Sequence, residues 1–334
     1  MILIDALYIN NSGGKILLEY LVKKIEESKK NAFYIFDKRC KNDFLLIPIE
    51  RKIYLEASFI KRHLFYLKNR NKFSTVFCFG NISPSIKLNC KVYTYLHQRL
   101  YIEIPESFRG KSKLILQIKS YVFKFLLRNT NVVFLQTESI RKDFLEKFKF
   151  NENGVQLMPF YESNNLSFDL DKNKNSYLYV STGELYKNHI ILFDAFKDFF
   201  EKHQIGKLYV TVDDKYKAVV EKIEELQKIG IPIINIGFVP KDKLLIYYRT
   251  CEYLIYPSLI ESFGLGIIEG IENGCKVIGA DLEYMKSICK PSLKFNPYSK
   301  TELIDVLEKS LSDDIEPTEQ LVGDQINKLI EILK

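Results

Sequence analysis

Metal-ligand patterns are missing from this chain. Its four histidines show no metal spacing, and its six cysteines include no C-x-x-C pair. Cys40, Cys78, Cys90, Cys251, Cys275 and Cys289 are scattered, mostly within apolar strands, and read as small buried hydrophobes rather than disulfide partners or zinc ligands. No Asp-x-Asp stands in a suitable loop, since Asp213 and Asp214 are adjacent and end a strand. The expectation is a protein with no metal and no resident cofactor. No apolar run reaches the roughly 18 residues needed to cross a bilayer. The opening MILIDALYINNSGG lacks the charged start and cleavage site of a signal peptide, so a cytoplasmic protein is expected. Internal repeats and low-complexity segments are absent.

What is present is an alternation of strands and helices. ILIDAL, AFYIF, TVFCF, KVYTYL, VVFLQT and VQLMP read as strands, with helices near 15–28, 56–70, 111–129 and 139–148. A polar stretch, Glu162 to Ser176, interrupts the pattern before it restarts with SYLYV, KLYVTV, PIINIG, EYLIYP and KVIGA. Parallel pairing with right-handed crossovers follows, in an α/β protein of two domains, 1–165 and 166–334, the last helix free to pack back on the first. Residues 1–170 hold 28 Lys and Arg against 16 Asp and Glu, a net +12, while the remainder is net −5.

The segment PSLIESFGLGIIEGIENGCKVIGAD, Pro257 to Asp281, carries the most chemistry. It sets Glu261 and Glu269 eight positions apart across a loop-to-helix junction between two apolar strands. A helix opening near Phe263 and Gly264 lies at the carboxyl edge of a parallel sheet, where ligands of open α/β sheets bind. Gly264 and Gly266 leave the first-turn amides uncovered, and those N–H groups with the positive end of the helix dipole suit a phosphate. Two acids flanking a phosphate site can reach hydroxyls on either side of it, which matches the shape of a sugar nucleotide.

This segment resembles the signature of the retaining glycosyltransferases of the GT-B class, family 4 or group 1, with their two glutamates separated by seven residues. Pro257, Ser258, Glu261, Phe263, Gly264, Leu265, Glu269, Gly274, Val277 and Ile278 match, while Lys276 stands where the family usually has Pro and Gly270 where Ala is common. The resemblance implies two doubly wound Rossmann-like domains facing a central cleft, the first binding the acceptor and the second a nucleoside-diphosphate sugar. It implies that Glu261 orients the sugar hydroxyls, that Glu269 holds the ribose, and that Ser262, Phe263, Gly264 and Leu265 lie against the donor. Gly13 and Gly14, between the first strand and its helix, match the family's N-terminal glycine loop, with Asn11 and Ser12 beside them. His97, at the end of an apolar strand, matches a histidine near the transferred sugar, and Arg99 is its neighbour. Gly237, Phe238 and Val239 resemble the turn that holds the base, which is left open among uridine, guanosine, adenosine and thymidine.

Lys187, beside Asn188 and His189, fits the lysine that neutralises the donor pyrophosphate. The partner arginine expected after the preceding glycine is missing, and Glu184 stands there instead. The implied reaction is a metal-independent transfer, with retention, to a saccharide or lipid-linked saccharide in the assembly of a bacterial surface polysaccharide such as O-antigen or capsule. Two other readings remain open: a sugar-nucleotide epimerase, and a non-catalytic subunit of a polysaccharide assembly. Finally, residues 109–128 interleave Lys111, Lys113, Lys119, Lys124 and Arg128 with Leu114, Ile115, Ile118, Val122, Phe123 and Leu126. Such a helix can lie on the anionic inner face of the plasma membrane or pack as an ordinary element with solvated lysines. No nucleic-acid-binding motif accompanies the basic residues.

Overall fold

The structure, a computed structural model, describes residues 1–105, 108–163 and 171–333. It divides into two units, Met1–Glu162 with Gly323–Lys334, and Ser163–Val322. The boundary expected at 165/166 lies outside the described residues, and the stretch from Gly323 onward belongs with the first unit instead of the second.

In the first unit the elements follow in the order β1 (Ile2–Ala6), α1 (Ser12–Glu27), β2 (Ala32–Asp37), β3 (Lys52–Leu55), α2 (Phe59–Lys68), β4 (Thr75–Cys78), β5 (Lys91–Tyr95), α3 (Gly110–Leu126), β6 (Val132–Leu135), α4 (Glu138–Phe148) and β7 (Val155–Leu157). The strands form one parallel sheet in the order β3-β2-β1-β4-β5-β6-β7. Helices on both faces bury such strands completely, which is why β1, β4 and β6 have no exposed residue and read as nearly unbroken apolar runs. Asp5 is the polar exception in β1. β3 was not foreseen from the sequence, because four residues on a sheet edge, Lys52 buried and the other three half-buried, give no period to read.

Register shows which helices share a face. Thr94 pairs with Val133, so Val92, two residues earlier on β5, lies on the same side as Val133. Val92 packs in a cluster with Leu3, Val76 and Tyr66 of α2, and Val133 in a cluster with Phe123 of α3 and Phe144 of α4. α2, α3 and α4 therefore cover one face of the sheet. Right-handed crossovers put α1, whose connection runs the opposite way, on the other.

The second unit comprises β8 (Asn173–Tyr179), α5 (His189–His203), β9 (Lys207–Val210), α6 (Lys217–Lys228), β10 (Ile233–Asn235), α7 (Lys241–Thr250), β11 (Cys251–Tyr256), α8 (Leu265–Glu272), β12 (Lys276–Ala280), α9 (Glu283–Ile288), β13 (Cys289–Lys290), β14 (Leu293–Phe295), α10 (Lys300–Lys309) and β15 (Glu319–Gln320). Six parallel strands run β10-β9-β8-β11-β12-β14, and β13 pairs antiparallel with β15. Tyr177 and Tyr253 stack at 5.4 Å in its core, and their hydroxyls meet Ser310 at the end of α10. The chain then returns to the first unit, where α11 (Ile326–Ile332) packs with α1 and the Tyr20 hydroxyl donates to Asp324 at 2.7 Å.

Candidate active site

Strand order reverses once in each sheet, between β1 and β4 in the first unit and between β8 and β11 in the second. Loops leaving the carboxyl ends of adjacent strands diverge at such a point and open a crevice for ligands. In the second unit those loops carry Lys187, after β8, and Glu261, after β11.

Hydrogen bonds stitch the two loops together. The Leu259 amide donates to the Tyr186 carbonyl at 2.8 Å, and the Asn188 side chain donates to the carbonyls of Pro257 (3.3 Å) and Pro297 (2.8 Å). The buried Tyr179 hydroxyl donates to the Lys187 carbonyl (2.7 Å) and lies 2.9 Å from Ser258 Oγ, while the Tyr284 hydroxyl donates to the Ser258 carbonyl (2.7 Å). So fixed, Lys187 Nζ donates to Glu261 Oε1 at 2.5 Å, with side chains 12% and 9% exposed. Such a short charge-assisted bond between partly desolvated groups is strong, and it leaves the ammonium two further protons to donate.

Gly264 ends the loop at φ +65°, and a Cβ there would come within 2.9 Å of Ile267 Cδ1, so backbone and space both require glycine. α8 starts at the next residue, and while the Ile267 and Ile268 amides donate to the Gly264 carbonyl (2.8 and 3.3 Å), those of Leu265 and Gly266 have no carbonyl one turn back to bond. Phe263 is buried, so its side chain serves the core. Glu269, on α8, accepts from the Tyr248 hydroxyl of α7 at 3.1 Å. Burial pushes the Glu269 carboxyl up, while the Lys241 charge and the Tyr248 bond work the other way. Tyr248 was not foreseen, since an aromatic residue late in an amphipathic helix looks like any core contact.

The departure at Glu184 has a packing counterpart. Glu184 accepts from the Tyr216 hydroxyl at 3.0 Å, and a Cβ on Gly183 would strike the Tyr216 side chain at 2.5 Å. The loop is therefore held closely on Tyr216. His189 is buried beneath Tyr179, its ring 4.8 Å away and neither nitrogen hydrogen-bonded, so it belongs to the core.

Gly237, at φ +64°, follows β10, three strands from β11 and so roughly 14 Å across the sheet. Its amide already donates to Asn235 Oδ1 at 3.1 Å, a bond internal to the turn. Phe238 is 86% exposed and Val239 half-buried.

In the first unit Gly13 and Gly14 open α1 directly after β1, and His97 follows β5. A Cβ on Gly14 would lie 3.0 Å from His97 Cε1, so the glycine admits the imidazole against the helix start. The ring stacks on Phe79 at 5.0 Å. Its backbone amide donates to Asn81 Oδ1 at 2.7 Å, and Nε2 lies 3.1 Å from both the Phe79 carbonyl and Asn81 Nδ2. Burial pulls its pKa down to about 4 against the opposing Phe79 carbonyl, so the ring is neutral at pH 7. Arg99 is committed elsewhere, donating to Asp143 (2.7 Å), Ser139 (3.2 Å) and Glu103 (3.2 Å). Asn81, with φ +63°, carries no sequence signal for the part it plays.

Comparison with known proteins places this geometry. The profile of the glycosyl transferases group 1 matches residues 162–324. The serotype-specific mannosyltransferase WbdA of Escherichia coli is 27% identical over 107 residues, which are 30% of this chain and 13% of that enzyme's length. The chain thus spans only a small part of the curated relatives it first matches. Among solved structures, the sucrose-phosphate synthase of Thermosynechococcus elongatus superposes with a TM-score of 0.73 at 15% identity, covering 99% of this chain and 94% of that one. Anabaena HepE, solved with UDP and glucose, superposes with 0.66 at 14% identity over 93% and 90%. Both sheets, their switch points and the matched segment agree: this chain has the GT-B fold, and its residues 162–324 match the group 1 glycosyl transferases.

Proposed function

We propose that the chain transfers a sugar, with retention and without a metal, from a nucleoside-diphosphate sugar to a saccharide or lipid-linked saccharide acceptor in bacterial surface polysaccharide assembly. The observation that carries this reading is the Lys187–Glu261 pair fixed beside the start of α8 at a switch point. As the nucleoside diphosphate departs, negative charge grows on its β-phosphate and positive charge on the sugar. The α8 amides and the Lys187 ammonium meet the first, and Glu261, oriented by that ammonium, holds the sugar hydroxyls. Glu269 has a free lone pair for a ribose hydroxyl beside its Tyr248 bond. His97 would accept or donate a hydrogen bond at the sugar. Work at the inner face of the plasma membrane fits a lipid-linked acceptor, and the relative WbdA, a mannosyltransferase that determines serotype, supports the surface-polysaccharide setting.

Calorimetric titration with nucleoside diphosphates and their sugars tests the reading. One base should bind best, because the wrong one leaves buried polar groups unpaired. Glu261→Gln should then lower turnover of the best donor at least about tenfold, roughly 1.4 kcal/mol of transition-state stabilisation, with nucleotide binding kept. Absence of binding to every nucleotide would point instead to a non-catalytic subunit, which Glu184 in place of the arginine makes the second reading.

A further inference from the structure

The first unit carries its positive charge in one stretch. Residues 57–137 contain 14 Lys and Arg against two acids, Glu103 and Glu106, which accounts for the whole +12 of residues 1–170. That stretch contributes α2 and α3 to one face of the sheet. Neither helix holds an acidic residue, and each shows water an apolar stripe.

α3 has seventeen residues, of which only Ser120, Phe123 and Leu126 are buried. Leu114, Ile118, Tyr121 and Phe125 recur at spacings of three and four, so they form one stripe. They are exposed by 56, 55, 72 and 51%, with Ile115 beside them at 43%. On α2, Ile60, Leu64 and Leu67 repeat the pattern at 69, 57 and 50%. Lys68, Lys113, Lys119 and Lys124 are exposed on the same helices, Lys61 pairs with Glu56 just before α2, and just after α3 the exposed Arg128 sets its guanidinium 3.8 Å over the Phe125 ring. Helices that packed only against their own sheet would turn such residues inward. Soluble proteins seldom leave contiguous apolar stripes uncovered, and a basic border selects what covers them.

We propose that α2 and α3 together dock the first unit on an anionic lipid bilayer, their stripes entering the interface while the lysines and arginines meet lipid phosphates. A second copy of the chain fits worse, since a self-complementary pairing would set basic border against basic border. An interfacial helix has this division of apolar face and basic flank, and two helices on one sheet face give a wider, oriented contact than either alone. The inference rests on the proposed transfer only in that a lipid-linked acceptor would lie in the same surface.

Flotation of the full chain with vesicles of phosphatidylcholine, with and without phosphatidylglycerol, tests it. Binding should need phosphatidylglycerol and fall at least about tenfold between 50 mM and 500 mM salt, as screening shortens the reach of the charges. Replacing Leu114, Ile118 and Tyr121 by Ser, or separately Ile60, Leu64 and Leu67 by Ser, should each lower partitioning at least about fivefold, loss of buried apolar area being additive across separate helices. These side chains are exposed, so circular dichroism should be unchanged. A Ile60/Leu64/Leu67 variant that floats like wild type overturns the two-helix surface. Wild type that ignores phosphatidylglycerol vesicles, or dimerises through these stripes, overturns the bilayer altogether. Nucleotide calorimetry on the same preparations keeps the two readings apart, since failure to float with nucleotide binding intact sinks only the docking, and the converse sinks only the transfer.

Discussion

Among the described residues, the Arg62–Asp5 pair of the first unit and the Lys187–Glu261 pair of the second are largely shielded from water, and the two are satisfied in different ways. In the first, Arg62 and Asp5 are both 1% exposed and bond at 2.7 Å. The guanidinium also donates to the carbonyls of Ser83 (2.9 Å) and Ile82 (2.7 Å), and Asp5 accepts from the Tyr66 hydroxyl (2.5 Å) and the Leu7 amide (3.2 Å). In the second, among the described residues, the Lys187 ammonium has one side-chain acceptor, Glu261. A buried charge whose bonding capacity is filled from within fixes a fold. One that keeps capacity at a switch point is arranged for something that arrives.

The largest test removes each cation in turn. Arg62→Met strands Asp5 in the core and should lower unfolding stability by ~3–5 kcal/mol, read from the urea midpoint, with turnover per folded molecule unchanged. Lys187→Met leaves Glu261 at 8% exposure, against 1% for Asp5, so it should cost less stability. Its turnover should fall at least about a hundredfold, ~2.7 kcal/mol, as the departing phosphate loses its cation. A Lys187→Met enzyme that turns over normally while melting like Arg62→Met would break the comparison.

The same contrast explains what the sequence revealed. Glu261, Gly264 and Glu269 stand in an ordered string whose spacing is set by a local strand-loop-helix turn, so one dimension suffices to read them. Lys187 depends on the loop after β8 lying beside the loop after β11. That adjacency is tertiary, and only the resemblance suggested it. Arg62 was unreadable as a core residue: it lies in a run of bases, FIKRHLFYLK, and its partner Asp5 is 57 positions away. Edge strands β3 and β14 escaped for want of length, and the Tyr20–Asp324 bond that accompanies the expected return of the last helix joins residues 304 positions apart, a contact no local pattern encodes. The apolar residues of 109–128 fit either a packed or an interfacial helix by sequence. Exposure of Leu114, Ile118 and Tyr121 shows a stripe that the helix does not bury against its own sheet.

The histidines sharpen the comparison at a smaller scale. His97 is hydrogen-bonded at the first unit's helix start, whereas His189 is 3% exposed with neither nitrogen bonded. Burial first, and then the Lys187 charge, pull the His189 pKa down to about 3. An unfolded histidine takes up its proton near pH 6.5, so below that pH the unfolded chain binds more protons than the folded one. Stability is therefore lost as pH falls from about 6.5 toward 3. His189→Phe removes this loss and should be less acid-sensitive than wild type by about 2 kcal/mol at pH 5, while keeping turnover within about twofold at pH 7. A tenfold fall in turnover would move His189 from the core into the site.

The smallest expected effect is none. In the proposed transfer the departing diphosphate needs its growing charge balanced, and the second unit offers the Lys187 ammonium and the α8 start, worth about half a positive charge. Together these fall short of a divalent cation, and Glu184 in place of an arginine deepens the shortfall. They are, however, fixed in a partly desolvated site, where a preorganised charge acts more strongly than in water. Asp213, the acid nearest to a metal motif in sequence, accepts the Lys215 amide of its own turn at 3.0 Å. Transfer in excess EDTA should therefore match transfer without it, within about twofold. Activity lost to the chelator and restored by magnesium or manganese would show that Lys187 and the helix do not suffice, and that the second unit completes its charge with a metal ion after all.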